Sequence, residues 1–159
     1  MALNWQKPRY RLPWRSSNVN ASNAPDAQAA YESQMALWGA LLGGSNLVLH
    51  GAGWLEGGLT ASLEKFMIDI EMLQTFAALF RPEPAARCEP APDAAQVSDR
   101  RGYQAWRDAG ALDAAQRAHR AWKRRLAEFQ PPPLEAATRE ALDAFVARRT
   151  AAGGADLED

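Results

Sequence analysis

Apolar positions along the chain change their spacing several times, and each change marks a predicted element. From Asp26 to Leu42 the residues Tyr31, Met35, Trp38 and Leu42 fall four, three and four apart, which predicts one apolar face of a helix. Asn20, Ser22 and Asn23 offer caps ahead of it, Pro25 suits a first helical turn, and Gly43 with Gly44 stops it. The next run, Asn46 to His50, is short, apolar and punctuated by glycine, which predicts a buried strand. Gly51 to Gly58 then reads as loop. A second helix is expected over roughly Ala61 to Phe80, with Leu63, Phe66, Met67, Ile70, Leu73, Ala77 and Phe80 as a broad apolar stripe. Pro82 and Pro84 end it. Ahead of all this, Met1 to Asn23 is polar and broken by Pro8 and Pro13, with a short strand expected around Leu12 to Arg15.

Helix, glycine stop, strand, glycine loop and helix in this order make an α-β-α run of the kind that builds parallel sheets, where ligands sit at the carboxyl ends of strands. The segment HGAGWLEGG, starting at His50, occupies such an end. Composition changes from Arg81 to Val97, where prolines and alanines dominate, and this predicts a linker without regular structure. Helices follow. Asp99 can cap a short one carrying Tyr103 and Trp106 and closed by Gly110. Asp113 can cap a longer one, with Ala115, Ala118, Trp122 and Phe129 on one face and Arg117, Arg120, Lys123, Arg124 and Arg125 around it. Pro131 to Pro133 break that helix, and a last amphipathic helix over about Glu135 to Arg149 shows Leu142, Phe145 and Val146. The division expected is therefore a site-bearing α/β segment over 1–80, a linker over 81–97, C-terminal helices over 98–149 and a disordered tail over 150–159.

The chain has 159 residues, one domain by size and too short for a complete eight-fold barrel, which needs about 200 residues or more. A formal charge of −1, without a basic aromatic stripe, predicts no nucleic-acid partner. A single cysteine, Cys88, excludes an internal disulfide and a cysteine-rich metal site. The amino-terminal stretch lacks the apolar core of a signal peptide, and no apolar run reaches the roughly 20 residues of a membrane span. The expected compartment is the cytoplasm, with no membrane partner.

Five residues carry candidate chemistry. His50, ending a strand, can orient a substrate or move a proton near neutral pH, or it can be a rim histidine satisfied by backbone. Glu56 in the glycine-rich loop can balance a cation or be a solvated glutamate. Trp54 and Trp14 offer the aromatic face that best holds a quaternary ammonium, or they pack in the core. Arg15 follows Trp14 at the top of its expected strand, where it can hydrogen-bond a ligand, whereas Asn46, at a strand's start, closes the bottom of the sheet. No phosphate-binding glycine motif and no nucleophile motif is present. His50 and His119 are the only histidines and lie far apart, so no protein-bound metal is expected. The basic run Arg117 to Arg125 reads as a solvated face.

The segments LPWRSS, DAQAAYESQMALWGALLGGSNLVLHGAGWLEGGLTASLEKFMIDIEML, SDRRGYQAWRDAG and AWKRRLAEFQPPPLEAATREALDAFVARR together resemble the carboxyl-terminal part of the trimethylamine methyltransferase family. That resemblance implies an α/β fold, a fragment of a (β/α)8 TIM-type barrel with a mostly helical C-terminal region. It implies methyl transfer from a tertiary or quaternary amine, of the trimethylamine or glycine betaine type, to a corrinoid (cobalamin) carried by a separate partner protein, with no cofactor held tightly by this chain. By position His50 matches the family's histidine at the end of a late barrel strand, Trp54 and Glu56 the loop behind it, and Arg15 the rim of the preceding strand. Enzymes of the family are far longer than this chain. Between EMLQTF and SDRRGY they carry a further segment leading to the final barrel strand, where this chain has its proline-alanine stretch. The expectation is thus a truncated methyltransferase whose independent activity is weak, paired with itself or with a complementing chain. The alternative is a non-catalytic remnant or interaction module derived from that family.

Overall fold

The computed structural model of the chain describes residues 13–80 and 97–153. They fall into two compact units, divided between Ala127 and Glu128. The first unit begins with strand β1 (Arg15–Ser17), helix α1 (Ala27–Leu42) and strand β2 (Leu47–Leu49). The two strands pair in parallel, Arg15 with Leu47, Ser16 with Val48 and Ser17 with Leu49, so α1 is the crossover of a β-α-β unit. At the entry end the Trp14 amide donates to Asn46 Oδ1 (3.0 Å) and the Asn46 amide to the Trp14 carbonyl (2.8 Å). At the exit end the Asn18 amide donates to the Leu49 carbonyl (3.3 Å). The first strand lies later than the Leu12–Arg15 expected, because it is in register with Leu47–Leu49; Leu12 lies outside the described residues. The second strand is less buried than a core strand. Leu47 is 54% exposed, since among the described residues β2 has one neighbouring strand rather than two.

Helix α1 is capped by Asp26, whose carboxylate accepts from the Ala29 amide (3.0 Å) and is braced by the Ser22 hydroxyl (3.1 Å). Ser22 thus supports the cap instead of forming it, and Pro25 stands before the cap rather than in the first turn. The buried face of α1 is Ala29, Ser33, Leu37 and Ala40. The larger stripe expected to face inward faces out: Tyr31 is 58% and Met35 59% exposed, and within it Trp38 alone is half-buried, with its ring 4.9 Å from Phe76. Small residues carry a weak hydrophobic signal but let neighbouring backbones approach closely, and that close approach sets the rotation of this helix.

The segment expected as plain loop, Gly51 to Gly58, contains strand β3 (Trp54–Leu55) and a 3-10 turn over Glu56–Gly58. Strand β3 pairs antiparallel with β4 (Thr60–Ala61), which takes in the residue expected to start the helix. Helix α2 (Leu63–Leu79) follows, capped by Ser62, which accepts from the Lys65 amide (3.2 Å). Its inward residues are Lys65, Met67, Asp69 and Phe76, so of the apolar stripe expected here Met67 alone is buried, while Leu63, Phe66 and Phe80 are exposed. Residues 81–96, most of the expected linker, lie outside the described residues.

Val97, counted with that linker, is instead a core residue. It packs with Met67 of α2 and with Ala118 and Ala121 of the helix α4 (Ala114–Ala127). Its amide donates to the Glu71 carboxylate (2.6 Å). Between Val97 and α4 lies the short helix α3 (Tyr103–Asp108). Asp99 does not cap α3, because its carboxylate is taken by the Arg101 guanidinium (2.6 Å) and amide (3.0 Å); Gly102 holds the cap position. Asp113 does serve α4, accepting from the Gln116 amide (2.7 Å) while the Gln116 side chain accepts from the Asp113 amide (3.0 Å), a reciprocal capping box. Arg117 departs from the solvated face expected of it, since its guanidinium donates to the carbonyls of Val97 and Leu112. Phe129 lies beyond the end of α4 and is exposed.

The second unit contains helix α5 (Ala136–Ala151), on which Leu142, Phe145 and Val146 are exposed. The helix runs through Ala151, into the expected tail; residues 154–159 lie outside the described residues. Taken together the described residues are mixed α/β, mostly helical, with few and short strands.

Candidate functional site

His50 follows β2 directly, at the carboxyl end of the parallel pair, in a left-handed conformation with φ 50°. A non-glycine residue in that region is uncommon and is kept there by its surroundings. Its Nδ1 lies 3.3 Å from the Ser17 hydroxyl, at the same end of β1. Its ring meets the Trp54 ring edge to face, centroids 5.2 Å apart at 87°. Beside it opens a cleft of about 360 Å³ lined by Arg15, Ser16, Ser17, Val19, Leu49, His50 and Gly57.

The walls are held by a run of asparagines and serines. Asn18 Nδ2 donates to the Gly51 carbonyl (2.9 Å) and Asn20 Nδ2 to the Trp54 carbonyl (2.8 Å). The Glu56 amide donates to the Ser22 carbonyl (3.0 Å) and the Gly57 amide to the Asn20 carbonyl (2.7 Å). Beneath the loop lies a buried ionic cluster. Lys65 Nζ donates to Asp69 Oδ1 (2.5 Å) and to the Ser33 hydroxyl (2.7 Å), and Asp69 Oδ2 accepts from the Gly53 amide (2.9 Å). Burial pushes the Asp69 carboxyl above its ordinary range, while the hydrogen bonds from Lys65, Gly53 and Asn18 pull it back.

The five candidate residues divide. His50 and Arg15 line one cleft, although Arg15 opens β1 instead of ending it. Trp54 is half-buried behind His50. Glu56, at φ 52°, turns its exposed carboxylate to the Thr60 hydroxyl (2.7 Å) and is not among the cleft-lining residues. Trp14 stands at the opposite end of the strands with its ring against Gly43, where an added Cβ would lie 3.2 Å from that ring. Sequence reasoning missed Asn18, Asn20, Ser33, Lys65 and Asp69, all buried. The signals were the run SSNVNASN and the four-residue spacing of Lys65 and Asp69 on one helical face.

A short parallel strand pair whose carboxyl end carries Ser17 and His50, with Trp54 behind the histidine and Arg15 at the start of β1 lining the same cleft, is an α/β arrangement in which a strand end borders a cleft. Comparison with known proteins supplies the family. The profile of trimethylamine methyltransferase (MTTB) matches residues 7–97 and 93–154, and the chain belongs to that family. It is also 32% identical, over 167 residues, to a glycine betaine methyltransferase of Desulfitobacterium hafniense (strain Y51). That match takes in 88% of this chain and 35% of the relative, so the chain spans about a third of the length of the curated relative it matches. The 167 aligned positions exceed 88% of a 159-residue chain, so the relative carries residues inside the matched span that have no counterpart here. Among the described residues no helix is long and apolar enough to cross a membrane, and no three metal-ligating side chains come together.

Proposed function

We propose that the chain carries the amine-binding part of a methyltransferase whose substrate is a zwitterionic quaternary amine of the glycine betaine type. The observation that carries this reading is the cleft itself: among the described residues its one formally charged lining side chain is the Arg15 guanidinium, which shares the lining with His50 and Ser17, and no described carboxylate lines it. A guanidinium forms paired hydrogen bonds with a carboxylate. Trimethylammonium has no carboxylate and would meet Arg15 as a like charge. Trp54 is not among the lining residues; it backs His50, ring edge to face, and bears on the bound substrate through that contact. Glu56 bonds with Thr60 and takes no part in the pocket of this reading; nor does Trp14.

In the reaction the C–N bond to one methyl group breaks, the bonding pair stays on nitrogen and a tertiary amine leaves. The methyl acceptor is the corrinoid of a partner protein, a substrate for this chain and not its resident cofactor. Arg15 and His50 then have one task, to hold the substrate with a methyl group presented outward and water kept away. The parent architecture consistent with the parallel β1-α1-β2 unit is a (β/α) barrel of which these residues form part.

A second reading, a non-catalytic interaction module, is favoured by one observation: the relative has residues within the matched span that this chain lacks, and the two family matches meet at residues 93–97. Incubation with reduced cobalamin and either glycine betaine or trimethylamine, followed by the absorbance of the methylated corrinoid, separates them. The enzyme reading predicts methylation from glycine betaine, lost in Arg15→Met. Preference for trimethylamine would overturn the assignment of substrate, and absence of methylation with intact betaine binding would leave the interaction module.

A further inference from the structure

We propose that Asp69 is a positioning residue: held by Lys65, it fixes the Gly53 amide and through it the arrangement of His50 and Trp54. The idea rests on the site reading above for its functional consequence, but its structural half stands alone. Lys65 and Asp69 are both 0% exposed, and neither lines the cleft. A buried ion pair is weak evidence for stability, since apolar residues of similar volume often serve as well or better. What this pair has that an apolar pair lacks is a second carboxylate oxygen, and that oxygen takes the Gly53 amide at 2.9 Å.

Gly53 is where the loop needs holding. It lies between His50 and Trp54, is buried, and has φ 87°. Its carbonyl accepts from the Ser62 amide (2.8 Å), so both its backbone groups are tied to the start and first turns of α2. The network closes on the next residue too. Lys65 donates to the Ser33 hydroxyl, Ser33 is bonded by Asn20 Nδ2 (3.3 Å), and the same Asn20 nitrogen holds the Trp54 carbonyl (2.8 Å). One buried charge pair therefore reaches the backbone at Gly53 N and, through Ser33 and Asn20, at Trp54 O. The aromatic ring that meets His50 hangs directly from this fixed backbone. Without the Asp69 acceptor the Gly53 amide would be a buried donor with no partner, and the loop would open to hydrate it.

Two double variants separate the acceptor from the charge. Lys65→Met with Asp69→Asn removes both charges but keeps an oxygen for Gly53. Lys65→Met with Asp69→Leu removes the acceptor as well. The readouts are hydrogen exchange at the Gly53 amide, the proximity of the His50 and Trp54 rings by nuclear Overhauser effect, glycine betaine affinity and melting temperature. The Leu variant is expected to melt near the wild type yet to exchange Gly53 and release betaine about tenfold faster, with the two rings moved apart. The Asn variant is expected to restore all three. Slow Gly53 exchange and rings still in van der Waals reach in the Leu variant would overturn the proposal, as would an Asn variant as loose as the Leu one. The wild type supplies a check that needs no variant: its Gly53 amide should exchange as slowly as the interior amides of α2, and free exchange there refutes the anchor. A wild type that binds no betaine but shows the protected amide and its deprotection in the Leu variant would sink the substrate reading alone.

Discussion

Substituting three glycines by alanine, one at a time, measures how tightly the site loop is built against α2. At Gly53 two costs combine. A residue with a side chain at φ 87° is held in left-handed backbone, at about 1–2 kcal/mol. The new Cβ would also lie 3.1 Å from Phe66 Cβ and 3.4 Å from the Ser62 carbonyl oxygen, a close approach to packed atoms that adds about 1–3 kcal/mol. Gly53→Ala should therefore cost about 3 kcal/mol in all. Gly57 has φ 67° but no heavy atom within 4 Å of an added Cβ, so Gly57→Ala should cost about 1 kcal/mol, the backbone part alone. Gly39 sits inside α1 with open space around it and an ordinary φ, so Gly39→Ala should stabilise by about 0.5–1 kcal/mol. Urea unfolding followed by far-ultraviolet circular dichroism gives all three differences. Equal costs at Gly53 and Gly57 would mean that the loop does not press on Phe66, and the reasoning that places it there would be wrong.

Other consequences can be measured on the same preparation. Glu64 pairs with His119 (2.7 Å) and accepts from the Trp122 indole (2.8 Å), and these bonds, the histidine's foremost, hold its carboxyl at about 2, against an ordinary 4.5. A depressed carboxyl pKa stabilises the fold above the ordinary value and loses that contribution as pH falls towards the depressed one. The difference in stability between wild type and Glu64→Gln should thus be about 1–2 kcal/mol at pH 7, allowing for the half-exposed histidine, and should vanish between pH 4.5 and 2; a constant difference across that window contradicts the pairing. Leu37→Ala should cost about 2–4 kcal/mol in chemical unfolding while Tyr31→Ala stays within about 0.5 kcal/mol, and the reverse order would mean that α1 is rotated from the face described. Asp113→Ala should cost about 1 kcal/mol by loss of its cap, and an unchanged unfolding midpoint would rule out the capping box.

How much of this was legible beforehand depends on the kind of signal. Glycine at Gly43 and Gly44 and the acid at Asp113 act through local backbone geometry, so the end of α1 and the start of α4 could be read directly. His50 stands out because an apolar run stops at it, and the run does form a strand that pairs with β1. The rotation of α1 was not legible. The larger residues Tyr31 and Met35 gave the stronger periodicity, but Ala29, Ser33 and Ala40 permit the closer approach. The burial of Lys65 and Asp69 was equally hidden, because a lysine and an aspartate four apart on a helix usually form a solvated pair, and only the fold places them under Gly53. Val97 reads as linker because its neighbours in sequence are prolines and alanines, whereas its burial depends on Met67 and Ala118, which no local pattern connects to it. The charge of the cleft was not legible either, for among the described residues Arg15 lines it while Glu56, in the same reading of the sequence, turns to Thr60 instead.

The central claim is that the strand-end cleft binds a methylated ammonium carrying its own carboxylate. Isothermal titration of the folded chain with glycine betaine and, separately, with trimethylamine tests it most directly. The expected result is saturable binding of glycine betaine, weaker or no binding of trimethylamine, and loss of betaine binding in His50→Ala and Arg15→Met without a change in melting temperature. A folded chain that binds neither amine, or binds both equally and keeps doing so without Arg15, would contradict it.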